Sequence, residues 1–160
     1  MKITLKDGSV IDAEKGISVL DLAKKISEGL ARMATAAKVN GEVVDLRFNI
    51  IEDSEVEILT FDSSEDGKKA YWHTTAHIMA QAIKRIYGQD IKLAIGPAIN
   101  NGFYYDFDVK ENISSEDFEK IENEMKKIIK EDLPIERYTL SREEAIKFMK
   151  ELHEDYKVEL

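Results

Sequence analysis

No cysteine occurs among the 160 residues, so no disulfide staples the fold and a reducing compartment suits the chain. No apolar run approaches the ~20 residues that a membrane-spanning helix needs. The opening segment, residues 1–16, lacks the apolar central stretch of a secretory signal. These absences predict a cytoplasmic protein with no membrane partner. The glycines form neither a loop ending in Gly-Lys-Ser/Thr nor a Gly-x-Gly-x-x-Gly run, which excludes the two familiar phosphate cradles. There is no internal repeat.

What is present describes a folded chain with a real core: 43% of residues are hydrophobic and 34% charged. The formal net charge is −9, which argues against a non-specific nucleic-acid binder. The acid is uneven. Residues 111–160 hold 15 acidic and 9 basic side chains, so the first 110 residues are nearer balance and leave room for a local basic patch.

The pattern predicts two small α+β domains, at residues 1–61 and 70–160, joined by a polar linker at 62–69. In the first, Lys2–Lys6 alternates, Asp7-Gly8 is a hairpin turn, and Ser9–Ala13 continues as a second strand. Ser18 and Asp21 form a capping-box variant before a helix carrying Leu22, Ala23, Ile26 and Leu30, with Gly29 near its end. Strands at Ala36–Val39, Glu42–Asp45 and Val56–Phe61 follow, with an Asn40-Gly41 turn between the first two. This order is the ubiquitin-like β-grasp plan, which fixes a fold and not a function.

The second domain opens with a helix over Tyr71–Tyr87, stopped by Gly88, whose apolar stripe is Met79, Ala82, Ile83 and Ile86. Strands are expected at Ile91–Ile95, Gly102–Val109 and Pro134–Leu140. A helix opened by residues 114–117 should turn Phe118, Ile121, Met125, Ile128 and Ile129 inward. Another, capped by Ser141 and Glu144, should bury Ala145, Phe148, Met149 and Leu152. Residues 156–160 look like the start of a strand.

Two imidazoles, His73 and His77, fall four residues apart, on one helical face with Ala80 and Lys84 and away from the apolar stripe. Such a pair can share a metal or surround a small polar substrate, and the same spacing also arises in ordinary helices. A zinc site needs three or four protein ligands. Cysteine is absent, Asp106 and Asp108 are the only nearby oxygen candidates, and His153 reads as a solvated surface residue, so any metal site at His73 and His77 is partial. Residues 94–108 are the least ordinary stretch: Gly96-Pro97 and Asn100-Asn101-Gly102 make two tight turns before the block Phe103-Tyr104-Tyr105. That loop is either a hairpin with core aromatics or a pocket wall.

The run His73-Thr74-Thr75-Ala76-His77, with Lys92–Pro97 and Asn101–Asp106, resembles the editing domain of threonyl-tRNA synthetases, to which a domain of alanyl-tRNA synthetases is related. Residues 2–61 resemble the TGS domain that precedes it in those enzymes. The resemblance implies a longer enzyme, a homodimer using ATP and zinc elsewhere in its length, whose partner is the aminoacylated 3′ end of tRNA. The fragment is expected to need no cofactor of its own and to be monomeric. It also implies that a downstream Cys-x-x-x-His pair completes the editing pocket, so that this chain holds about half of the pocket's polar groups.

In that picture the chemistry is hydrolysis of mischarged seryl-tRNA. Serine lacks only a methyl of threonine, and such a difference gives one pocket about 1–3 kcal/mol of discrimination, so a second sieve is useful. The resemblance implies that His73 orients or deprotonates water, His77 contacts substrate, and Lys157 stabilises charge, with Gly96, Pro97, Asn101 and Tyr104 lining the pocket. Two alternatives differ in class. One is a TGS-type binding module of the kind found in guanosine-polyphosphate synthetases and some GTPases, against which residues 70–110 argue. The other is a free-standing metal-dependent trans-editing hydrolase, against which the missing ligands argue.

Overall fold

The computed structural model describes residues 1–88, 91–109 and 113–159. The chain divides into two compact units, Met1–Trp72 and His73–Leu160.

The first unit is built on a five-stranded mixed sheet. Its strands are β1 (Lys2–Leu5), β2 (Val10–Asp12), β4 (Ala34–Val39), β5 (Glu42–Val44) and β7 (Ser54–Thr60), in spatial order β2-β1-β7-β4-β5. β1 and β7 run parallel and the other pairs antiparallel. A short pair, β3 (Ile17–Ser18) with β6 (Asn49–Ile50), lies apart. This is the expected β-grasp arrangement. Asn40 takes φ 51 and Gly41 φ 87, the left-handed geometry of a tight hairpin.

Ser18 caps α1 (Val19–Ile26) by accepting from the Asp21 amide at 3.0 Å, and its hydroxyl donates to the Asp21 carboxylate at 2.7 Å. The helix was expected to carry Leu30, with Gly29 near its end. Instead it breaks at Ser27, whose extended backbone returns its N–H to the Ala23 carbonyl while its hydroxyl oxygen accepts from Leu30 N, starting α2 (Glu28–Met33). One serine ends one helix and begins the next. Ile3, Val19, Leu22, Ala37, Ile50 and Val56 make the buried cluster beneath α1. Each large side chain there contributes roughly 1.5–3 kcal/mol by leaving water.

The next helix, α3, spans Glu65–Tyr87 and begins inside the expected linker. Ser64 starts it by accepting from Gly67 N at 2.9 Å. Gly67 is buried, and its carbonyl accepts from Thr35 Oγ1 at 3.0 Å. Only glycine fits, because a Cβ built there meets the Thr60 carbonyl oxygen at 2.1 Å. Gly88, at φ 98, stops α3 as expected, its N–H bonding the Lys84 carbonyl.

In the second unit, Ala80, Ala82 and Ile83 of α3 form a core with Ile91 and Leu93, and with Ile121 and Ile128 of α4 (Phe118–Glu131). The expected strands shrink to two-residue pairs. β8 (Lys92–Leu93) pairs with β11 (Phe107–Asp108), and β9 (Ala98–Ile99) pairs with β10 (Gly102–Phe103). α5 (Arg142–Glu151) carries the expected capping box of Ser141 and Glu144. Three expectations are corrected. Phe118 and Ile129 are 58% and 60% exposed, on the outer edge of the α4 stripe, and Leu152 is 51% exposed as the C-cap just past the end of α5. No strand forms over 134–140, because a strand exists through its ladder and alternation in one segment does not supply the partner. Residues Asp155–Glu159 form a short helix, α6, rather than a strand, while Leu160 lies outside the described residues.

Candidate functional site

α3 puts His73 and His77 one turn apart, both exposed, with their Nε2 atoms 3.1 Å apart and their rings edge-on at 4.6 Å. One Nε2 must carry the hydrogen while the other accepts it, so the two imidazoles adopt opposite tautomers and share a single bridging proton. Only protonation of both rings would set two cations against each other. His77 is held below the ordinary imidazole value, first by desolvation and then by the charges of His73 and Lys157. His77 is therefore biased toward the neutral form, able to accept a proton.

The stripe below the pair differs from expectation. Ala76 and Ala80 are fully or nearly buried, and the Lys84 side chain is only 16% exposed. Lys84 pairs with Glu154, itself 6% exposed, so this face of α3 is solvated at its histidines and buried beneath them.

Tyr105 joins the pair to the loop after β8. Its ring meets His77 edge-on at 6.4 Å and stacks on Phe107 at 4.8 Å. Burial, then the nearby Glu154 charge, pushes its phenol above the ordinary range. Beyond β8 and β11 the pairing continues through Ala94 N to the Asp106 carbonyl and Asp106 N to the Ile95 carbonyl, which lays Gly96 on the Tyr105 ring. A Cβ at Gly96 would lie 2.1 Å from Tyr105 Cδ2. Here the glycine's lack of a side chain admits an aromatic face.

The expected site residues thus fall into two groups. His73, His77 and Gly96 are linked directly or through Tyr105, and Lys157, on α6, is close enough for its charge to act on His77. Pro97 is half-buried, Asn101 is exposed at the β9–β10 turn, and Tyr104 is exposed. Among the described residues, no hydrogen bond or ring contact joins these three to the imidazoles. Tyr105, in the aromatic block of that loop, is half-buried and also meets His77 edge-on. Lys84 and Glu154 were missed as a pair, because nothing in an acid-rich segment marks one glutamate as buried.

Among the described residues no three His, Asp or Glu side chains gather into a metal site. Asp108, an expected candidate ligand, instead accepts from Tyr156 Oη at 3.1 Å, and among the described residues Asp106 does not gather with the imidazoles into a metal-type cluster. His153 is exposed in the turn before α6, as expected. Two imidazoles alone do not hold zinc in a structural or catalytic shell. No described helix is long and apolar enough to cross a membrane.

Residues 1–60 match the TGS domain family. The whole chain is 61% identical to the threonine–tRNA ligase of Caldanaerobacter subterraneus subsp. tengcongensis and 62% identical to that of Acetivibrio thermocellus. It is 58% identical to the threonine–tRNA ligase of Clostridioides difficile. In each case all 160 residues align, and they cover 24% or 25% of the relative. The chain thus spans about a quarter of the length of the curated relatives it matches.

Proposed function

From this similarity to the N-terminal region of threonine–tRNA ligases, beginning with a TGS domain, we propose that the chain serves as that region of such an enzyme. Residues 70–160 then contribute to proofreading, the hydrolysis of seryl-tRNA made in error, as part of an editing domain. The observation that carries this reading is the imidazole pair, with Nε2 atoms 3.1 Å apart on an exposed helical face and Lys157 acting on it.

An aminoacyl ester is already activated, so its hydrolysis needs a positioned water, a proton acceptor and a stabiliser for the developing oxyanion. His73 orients or deprotonates the water. His77, wedged against Tyr105, hands the bridging proton back and forth and contacts the substrate. Lys157 offers the positive charge for the oxyanion or the terminal ribose. Gly96, Pro97, Asn101 and Tyr104 supply the adjoining wall. In the whole enzyme, tRNA, ATP and threonine are the partners of ligation, zinc serves elsewhere in its length, and the working form is a homodimer.

The test is seryl-tRNA hydrolysis by the full-length enzyme carrying His73→Ala. Loss of a positioned base or water-orienting group lowers the rate by about 10²–10⁴-fold. Threonylation is expected to be unchanged. His153→Asn is the control, since His153 has φ 57, where asparagine is tolerated better than alanine. Parental hydrolysis by His73→Ala would refute the assignment.

A further inference from the structure

Three consecutive side chains stand immediately before Lys157, and each is tied to a different element. Glu154 pairs with Lys84 of α3, Asp155 with Lys92 of β8, and Tyr156 Oη donates to Asp108 of β11. The first differs in kind from the other two. Asp155 and Lys92 are substantially exposed, where an ion pair is worth little. Glu154 and Lys84 are 8% and 16% exposed at their side chains, where removing one partner strands a buried charge.

Glu154 also starts the helix that bears Lys157. Its carbonyl accepts from Lys157 N at 3.0 Å and from Val158 N at 3.3 Å, and its own N–H bonds the Met149 carbonyl. One residue therefore anchors α6 to α3 through its side chain and opens α6 through its backbone. Lys84 is seven residues, about two turns, beyond His77 on the same stripe. Glu154 Oε2 is buried with no hydrogen-bond partner, so the pairing with Lys84 is the main compensation for burying this carboxylate.

We propose that Glu154 is a positioning residue: through its buried ion pair with Lys84 it sets α6, and so the Lys157 ammonium, opposite His77. This deepens the proofreading reading, on which it depends for the use of Lys157 and not for the placement. Buried ion pairs are weak sources of stability but can select one arrangement over others, and here the arrangement selected is where a cation stands.

The test is a double-mutant cycle in the 160-residue chain, read on the His77 imidazole by NMR titration. Lys157→Met is expected to shift the His77 pKa upward in the parent. In a Glu154→Gln background the same substitution is expected to leave His77 where it is. The direct effect of the Glu154 charge on His77 cancels in this comparison, and a general loss of stability does not produce the pattern. Equal upward shifts in the two backgrounds overturn the proposal, as does no shift in the parent. Should Glu154→Gln unfold the second unit, Lys84→Met with Glu154→Leu carries the same cycle without leaving a buried charge. Seryl-tRNA hydrolysis by His73→Ala is a separate measurement, so either idea can fail alone.

Discussion

Replacing Gly96 by alanine tests whether that residue serves by admitting an aromatic ring. The added Cβ would lie 2.1 Å from Tyr105 Cδ2, 2.4 Å from Cε2 and 2.8 Å from Cγ. Carbon atoms pack at about 3.5–4.0 Å, so the ring must withdraw by roughly 1.4 Å. It has little room, being stacked on Phe107 at 4.8 Å and set edge-on to His77. Gly96 is not in the left-handed region, so backbone strain adds nothing. Overpacking costs about 1–3 kcal/mol, and alanine returns roughly 0.4–1 kcal/mol by restricting the unfolded chain. The net loss expected is on the order of 1–2 kcal/mol, a fall in melting temperature of roughly 5–15 °C for a unit of this size. Urea unfolding followed by circular dichroism measures it. In a Tyr105→Leu background the same substitution should become nearly neutral, because a flexible side chain yields where the ring cannot. An equal cost in both backgrounds, or no cost in the parent, refutes the reasoning.

Acidification should weaken the fold through His77. Its folded value is lowered, so between that value and the unfolded 6.5 the unfolded chain binds the proton first. The stability that neutral His77 contributes is whole above about pH 6.5 and is lost as pH falls through the folded value. Unfolding free energies at pH 7.5 and 5.5 should therefore differ less in His77→Ala than in the parent, and an equal difference counts against the shift. Gly67→Ala should destabilise the first unit by about 1–3 kcal/mol, since its Cβ strikes the Thr60 carbonyl oxygen at 2.1 Å. Gly29→Ala, whose nearest neighbour is Ser27 Oγ at 3.6 Å, should stabilise it by roughly 0.4–1 kcal/mol, and like signs for the two would contradict the packing described. Trypsin should cut first near Arg137, in the exposed stretch 133–140 without regular structure, and a first cut after Lys68 or Lys69 would show that the start of α3 opens readily.

The first unit was legible because its signals are local. Asp7-Gly8, Asn40-Gly41, the alternation of the strands and the Ser18 cap each act within a few residues. The break at Ser27 was not, since serine serves equally as a helix-face residue or as a cap, and only the backbone decides. Residues 156–158 carry an aromatic and a β-branched side chain that favour a strand, yet the pairings of Glu154, Asp155 and Tyr156 hold a helix. At the site, helical spacing placed His73 and His77 together correctly. The contact of Tyr105 with His77 depends on how the loop at 94–106 folds over, and no periodicity encodes that. Lys84 was seen on the histidine stripe, but its burial follows from a glutamate 70 residues away.

The parallel pairing of β1 with β7 has a consequence for how the first unit comes into being. The sheet's centre joins residues 3–5 to residues 54–56, the first strand to the last. As the chain leaves the ribosome, β1 can form its hairpin with β2 at once, but its other edge waits about 50 residues for a neighbour. Until β7 arrives, that edge offers free backbone donors and acceptors to any passing strand, including a nascent copy of itself. A truncation within residues 51–53 would therefore be more damaging than one shortly after residue 60. It would release a chain whose strands are complete except for β7, the one that closes the sheet.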